Sequence, residues 1–138
     1  MTIFQVFNMN TRTTNHMTAV SQVQHAGKLV SEDILMARNV STESEFLKLT
    51  WIEIEGATNY THEVIYILEN NILWRSHSVN DGEPTVTRVA EYIDPAPEDP
   101  EQETSCVWAG GVLTFKVTAT VGEQSEYRVY EVKPRPGS

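Results

Sequence analysis

From Phe46 onward apolar and polar residues alternate with the period of two that a half-buried strand imposes: Leu47, Leu49 and Trp51 fall on one face, Lys48 and Thr50 on the other. After the turn signal Glu55-Gly56-Ala57-Thr58-Asn59, Tyr60, His62, Val64, Tyr66 and Leu68 share a face, and Ile65 and Ile67 make the far end apolar on both faces, as a central strand would be. Asn70-Asn71 predicts a tight reversal into Ile72-Leu73-Trp74, because Asn tolerates positive φ. The turn Asn80-Asp81-Gly82-Glu83-Pro84 leads into a β-branched strand over 85–93. Asp94 to Pro100 holds three prolines and three acids and predicts an exposed loop. Its apolar continuation, Cys106-Val107-Trp108, runs into Gly110-Gly111, and the strands 112–121 and 127–132 close the chain as a hairpin around Gly122 to Ser125. About seven short strands, with no helical run of about ten residues, predict an all-β, two-sheet sandwich.

Residues 1–43 read differently, being rich in Thr, Asn, Gln and Ser with only short apolar patches. The pattern predicts an extended N-terminal arm over 1–43, with Ile34-Leu35-Met36 as a candidate first strand, and the sandwich domain over 44–138. Within the arm, Ile3, Phe4, Val6 and Phe7 form a compact apolar patch that predicts docking onto a neighbouring chain by strand addition or insertion into a groove.

Composition narrows the partners. A chain of 138 residues with 40% hydrophobic and 21% charged residues has the make-up of one globular domain. Its 19 acidic against 10 basic residues, a net charge of −9, repel phosphate backbones, so neither nucleic acid nor an anionic membrane is an expected partner. A single cysteine, Cys106, excludes an intrachain disulfide. The opening residues show no signal-peptide pattern, and no stretch is apolar over the ~18 residues that a membrane span needs.

Leu47-Lys48-Leu49-Thr50-Trp51, His62-Glu63-Val64-Ile65-Tyr66 and Phe115-Lys116-Val117-Thr118-Ala119, with Gly122 and Ser125 after it, together resemble a fibronectin type III module over roughly residues 29–134. The resemblance implies an immunoglobulin-like sandwich with a binding or spacing role. The family usually places a tyrosine two residues before the position of Phe115 to tie down a corner; Leu113 stands there instead.

Chemistry-bearing residues are sparse. His16, His25, His62 and His77 form no close ligand motif, although His62 and His77 would face each other on neighbouring strands. No serine sits on a G-x-S-x-G turn beside a base, and Gly110-Gly111 precedes no helix that would cradle a phosphate. Asp94, Glu98, Asp99 and Glu101 offer oxygen donors of the kind calcium takes, but the interleaved prolines spoil their convergence. The sequons Asn39-Val40-Ser41 and Asn59-Tyr60-Thr61 matter only in a chain secreted by a eukaryotic cell. No catalytic residue, metal or cofactor is therefore expected. Trp74 and Trp108 are the candidate ligand-binding aromatics, with packing over the end of the sandwich as the other and preferred reading of Trp108, whereas Trp51 belongs to the core.

These features predict a non-enzymatic structural subunit of a larger assembly, held by its arm to a capsid or tail protein or to copies of itself. Small sandwich modules with an N-terminal arm and no signal peptide resemble the accessory proteins of bacteriophage particles, which implies a place in the virion. The alternative expectation is an adhesion or carbohydrate-binding module using Trp74 and Trp108.

Overall fold

The computed structural model describes residues 3–134, and of residues 3–11 the backbone alone. The chain is mostly β, with two antiparallel sheets and one long helix. Helix α1 (Ile3–Met36) leads into β1 (Asn39–Ser41), β2 (Leu47–Glu55), β3 (Thr58–Glu69), β4 (Ile72–Val79) and β5 (Thr85–Ala90). A short 3-10 turn (Pro100–Gln102) then precedes β6 (Ser105–Ala109), β7 (Val112–Val121) and β8 (Gln124–Val132).

Helix α1 corrects the expected extended arm, and Ile34-Leu35-Met36 is its last turn, not a strand. Ala19, Val23, Ala26, Val30 and Ile34 recur at spacings of four and three, and all five are fully buried. The seam is made of two alanines, two valines and one isoleucine, and the positions between them include Val20, Ser21, His25, Gly27 and Asp33, which are middling or poor helix formers, so propensity alone does not announce it. Packing supplies the stability that propensity lacks. The helix lies against β7 and β8 and touches β5 and β2. The boundary drawn at residues 43 and 44 therefore does not separate two packing units: the seam shares one buried cluster with both sheets.

The five-stranded sheet runs β1-β2-β3-β4-β5 and the three-stranded sheet β6-β7-β8, so each is a meander of consecutive strands. Immunoglobulin-like sandwiches return a later strand beside an earlier one. No such pairing occurs among the described strands, which number eight where about seven were expected. The turns follow the sequence: Asn70 and Asn71 adopt φ of 54° and 64°, as a tight hairpin requires. Residues Tyr92 to Asp94 join the sheets. Ile93 N–H donates to Asn71 C=O (2.9 Å), while Asp94 N–H donates to Thr118 C=O (2.8 Å) and Thr120 N–H to Tyr92 C=O (2.9 Å). Trp51, expected in the core, is buried there with Leu47 and Leu49 of its own face and with Val64, Tyr66, Phe115 and Val117.

Gly27 shows how closely helix and sheet approach. The Tyr130 ring rests on the helix backbone there, and its hydroxyl donates to Val23 C=O (3.1 Å). A methyl group on Gly27 would stand 2.1 Å from the ring. Replacing a helix-interior Gly by Ala ordinarily gains about 1 kcal/mol. Here the ring must move, so Gly27→Ala is expected to destabilise by about 1–3 kcal/mol, the usual range for overpacking. In a Tyr130→Ala background the same substitution is expected to stabilise, a reversal of sign that urea denaturation of the four variants will read. Stabilisation by Gly27→Ala in the wild-type background would refute the contact.

Candidate functional site

Alternation along β2, β3 and β4 divides the side chains of the five-stranded sheet between two faces, and the register sets their neighbours. On the inner face Trp51 is opposite His62, Val64 opposite His77, and Tyr66 opposite Arg75. His62 and His77 do meet, as their strand positions allowed. His62 Nδ1 and His77 Nε2 are 2.9 Å apart, and His62 Nε2 is 3.3 Å from Glu53 Oε1. With Glu53 accepting from Nε2–H of a neutral His62, Nδ1 is left as acceptor and His77 is the donor. The rings stack, with Trp51 and His62 at 4.9 Å and 4° and the two imidazoles at 5.1 Å and 13°. Burial, then the Arg75 charge and His62, hold His77 below the usual imidazole range. His77 thus favours its neutral form, and the stack lies against core.

One step along the same face, Asp33 of α1 accepts from Arg75 Nε (2.8 Å) and Nη2 (3.0 Å) and from the Tyr66 hydroxyl. Burial, reinforced by the Asp33 charge, pushes the Tyr66 hydroxyl far above its ordinary range, so it stays a donor. Sequence reading missed this triad because Asp33 lay in the supposed arm. Among the described residues, no group of three or more His, Cys, Asp or Glu is placed to hold a metal ion. In the acidic loop Asp94 and Asp99 accept from backbone N–H groups of Ala96 and Glu101, and Asp94 also from the Thr120 hydroxyl. Burial pushes the Cys106 thiol far up, away from a reactive thiolate.

The two tryptophans part company. Both lie on strands, not loops: Trp74 on β4 and Trp108 on β6. Trp108, opposite Leu113, packs against the core cluster. Trp74 lies on the outer face of the five-stranded sheet, opposite Ile67 and Arg88. They do not form one ligand site. Ile3, Phe4, Val6 and Phe7 fall on the first turns of α1, and their side chains lie outside the described residues.

The outer face carries more apolar surface than the sequence suggested. Around Trp74 stand Ile65, half-buried, with Ile67 and Val86 exposed to 38% and 56%. Lys48 and Glu63, paired at 3.7 Å, separate this patch from Ile52 and Ile54, exposed to 50% and 71% on the β2–β3 hairpin. The signal was present in Ile65 and Ile67, which make β3 apolar on both faces and were read as doubly buried; the outer side is open.

No protein-family model, curated protein or solved structure matches this chain.

Proposed function

We propose that the chain is a non-enzymatic docking subunit of a larger assembly, of the kind that decorates or attaches to a virus particle. The apolar patch on the outer face of a regular sheet, exposed Ile67 and Val86 around half-buried Trp74, carries the reading. Contiguous exposed apolar surface on an otherwise charged protein marks an interaction face, and a tryptophan at its centre is the residue type most enriched in binding hot spots.

Helix α1 supports the same reading. Asn15 touches Gly122 at the tip of the β7–β8 hairpin, so about three helical turns, ~18 Å, lead up to that point from Ile3. In the register of the buried seam, positions 5, 8 and 12 continue its line and hold Gln5, Asn8 and Arg12. The apolar positions Ile3, Val6 and Phe7 fall off that line, and with Phe4 they are the second docking element proposed, presented by a helix and not an extended arm.

Expressed with a tag in its source cell, the wild-type chain is expected to cosediment with a particle far heavier than 15.6 kDa. The Trp74→Ala, Val86→Lys double variant should stay at the top of the gradient with its unfolding temperature unchanged. A wild-type chain sedimenting as free protein, or a folded double variant that still enters the particle, refutes the outer face as the attachment.

A further inference from the structure

The β2–β3 hairpin extends past the rest of its sheet. β1 pairs with β2 only at Lys48, Leu49 and Thr50. β4 pairs with β3 only from His62 onward. Ile52 to Glu55, opposite Thr61 to Thr58, therefore form a two-stranded ribbon, closed by the Gly56-Ala57 turn with Gly56 at φ 64°. On the β3 side the ribbon is held, because Thr61 exchanges hydrogen bonds with Asn80, whose N–H donates to Thr61 C=O (2.8 Å) and whose side-chain oxygen accepts from Thr61 N–H (2.8 Å). On the β2 side, no strand among the described residues continues beyond Thr50.

The polar groups of that open edge can be assigned. Arg38 N–H donates to Thr50 C=O (2.9 Å), which turns the Thr50 backbone towards β1. Strand alternation turns the N–H and C=O of Ile52 and Ile54 the same way, where none of the described residues pairs with them. Side chains alternate with them: Ile52 and Ile54 on the outer face, Glu53 and Glu55 on the inner, all four exposed. The edge thus offers backbone donors and acceptors between an apolar row and an acidic row.

We infer that this edge, Ile52 to Glu55, receives an extended strand of another protein in which basic and β-branched apolar residues alternate. Charge decides the occupant. A residue directly opposite Glu53 or Glu55 lies within about 5.5 Å of it, where a Lys or Arg is stabilised and a carboxylate is repelled. A second copy of this chain fits poorly, because the antiparallel two-fold pairings that set Ile52 against Ile54, or Ile54 against itself, also set glutamate against glutamate, on a chain of net charge −9. The inference rests on the reading of the chain as a docking subunit and names the chemistry of one partner segment.

The test reads the edge directly and needs no assembled particle. A short Lys-Val-Lys-Val-Lys-Thr peptide, titrated into the ¹⁵N-labelled protein, is expected to shift the amides of Ile52 and Ile54 and slow their hydrogen exchange, while a Glu-Val-Glu-Val-Glu-Thr peptide does neither. Ile54→Pro, which removes one edge donor, should abolish the effect. The Glu53→Lys, Glu55→Lys double variant keeps the edge backbone and is expected to reverse the preference to the acidic peptide, a change of about tenfold or more in relative affinity. Exchange protection elsewhere, or a basic-peptide preference unchanged by the charge reversal, overturns the inference. Cosedimentation that fails while the peptide binds overturns the particle reading and leaves the edge standing.

Discussion

A chain lacking residues 1–36 is expected not to fold. The deletion removes Ala19, Val23, Ala26, Val30 and Ile34, every one of them fully buried, and uncovers Leu113, Phe115, Val117 and Ala119 of the three-stranded sheet beneath them. Burying the two valines and the isoleucine alone is worth roughly 5–9 kcal/mol. That is as large as the whole stability of a typical domain, about 5–15 kcal/mol. The deletion also strips the Arg75 guanidinium and the Tyr66 hydroxyl of their common acceptor, Asp33. Removing only residues 1–11 leaves the seam and the contact of Asn15 with Gly122 in place, and that chain is expected to keep its near-ultraviolet circular dichroism and a cooperative urea transition. A cooperative transition in the chain lacking 1–36 would show instead that the two sheets form a self-sufficient core.

The legible part of the fold was the part governed by a period of two. Leu47, Leu49 and Trp51 against Lys48 and Thr50 announced β2, its inner face and its share of the core, and Asn70-Asn71 announced a tight turn. Helix α1 was not legible by the same means, because its seam uses two alanines where a strong amphipathic pattern uses leucines, and because Gly27 lies mid-helix for the sake of Tyr130, a partner 103 positions away. Which face of a strand is covered is likewise a tertiary fact. Ile65 and Ile67 looked like a central strand buried on both sides, yet Ile67 meets solvent; nothing in the local sequence says whether a second layer arrives. The same holds for Trp74 and Trp108, two similar aromatics on strands, one facing outward and one packed on the core. The His62–His77 pair was foreseeable from strand adjacency alone, whereas Asp33 required knowing that a helix crosses Tyr66 and Arg75.

Asp33→Ala is expected to cost about 3 kcal/mol, towards the lower end of the range for breaking an enclosed ion pair, because the side chains of Arg75 and Asp33 keep 23% and 13% of their exposure. Asp33 lies in the last turn of α1, where the helix dipole disfavours a carboxylate, so its value lies in its partners and not in the helix. Those partners come from two strands: Arg75 of β4 offers Nε and Nη2 as a fork, and Tyr66 of β3, fully buried, offers its hydroxyl. One carboxylate thereby fixes the helix end to the middle of the five-stranded sheet. Truncating it leaves a guanidinium and a phenol facing a cavity, and unmet buried donors each carry a desolvation cost of about 1–3 kcal/mol. Removing all three polar groups at once is a different matter. The triple variant Asp33→Leu, Arg75→Met, Tyr66→Phe exchanges the network for apolar contacts of similar size, and is expected to recover most of the stability lost by Asp33→Ala, as replaced buried ion pairs often do. Urea denaturation of the wild type, the single and the triple variant decides between the two roles. A single-variant loss below about 1 kcal/mol, the level of an exposed pair, would mean that the network is solvated and that the helix is held by its apolar seam alone.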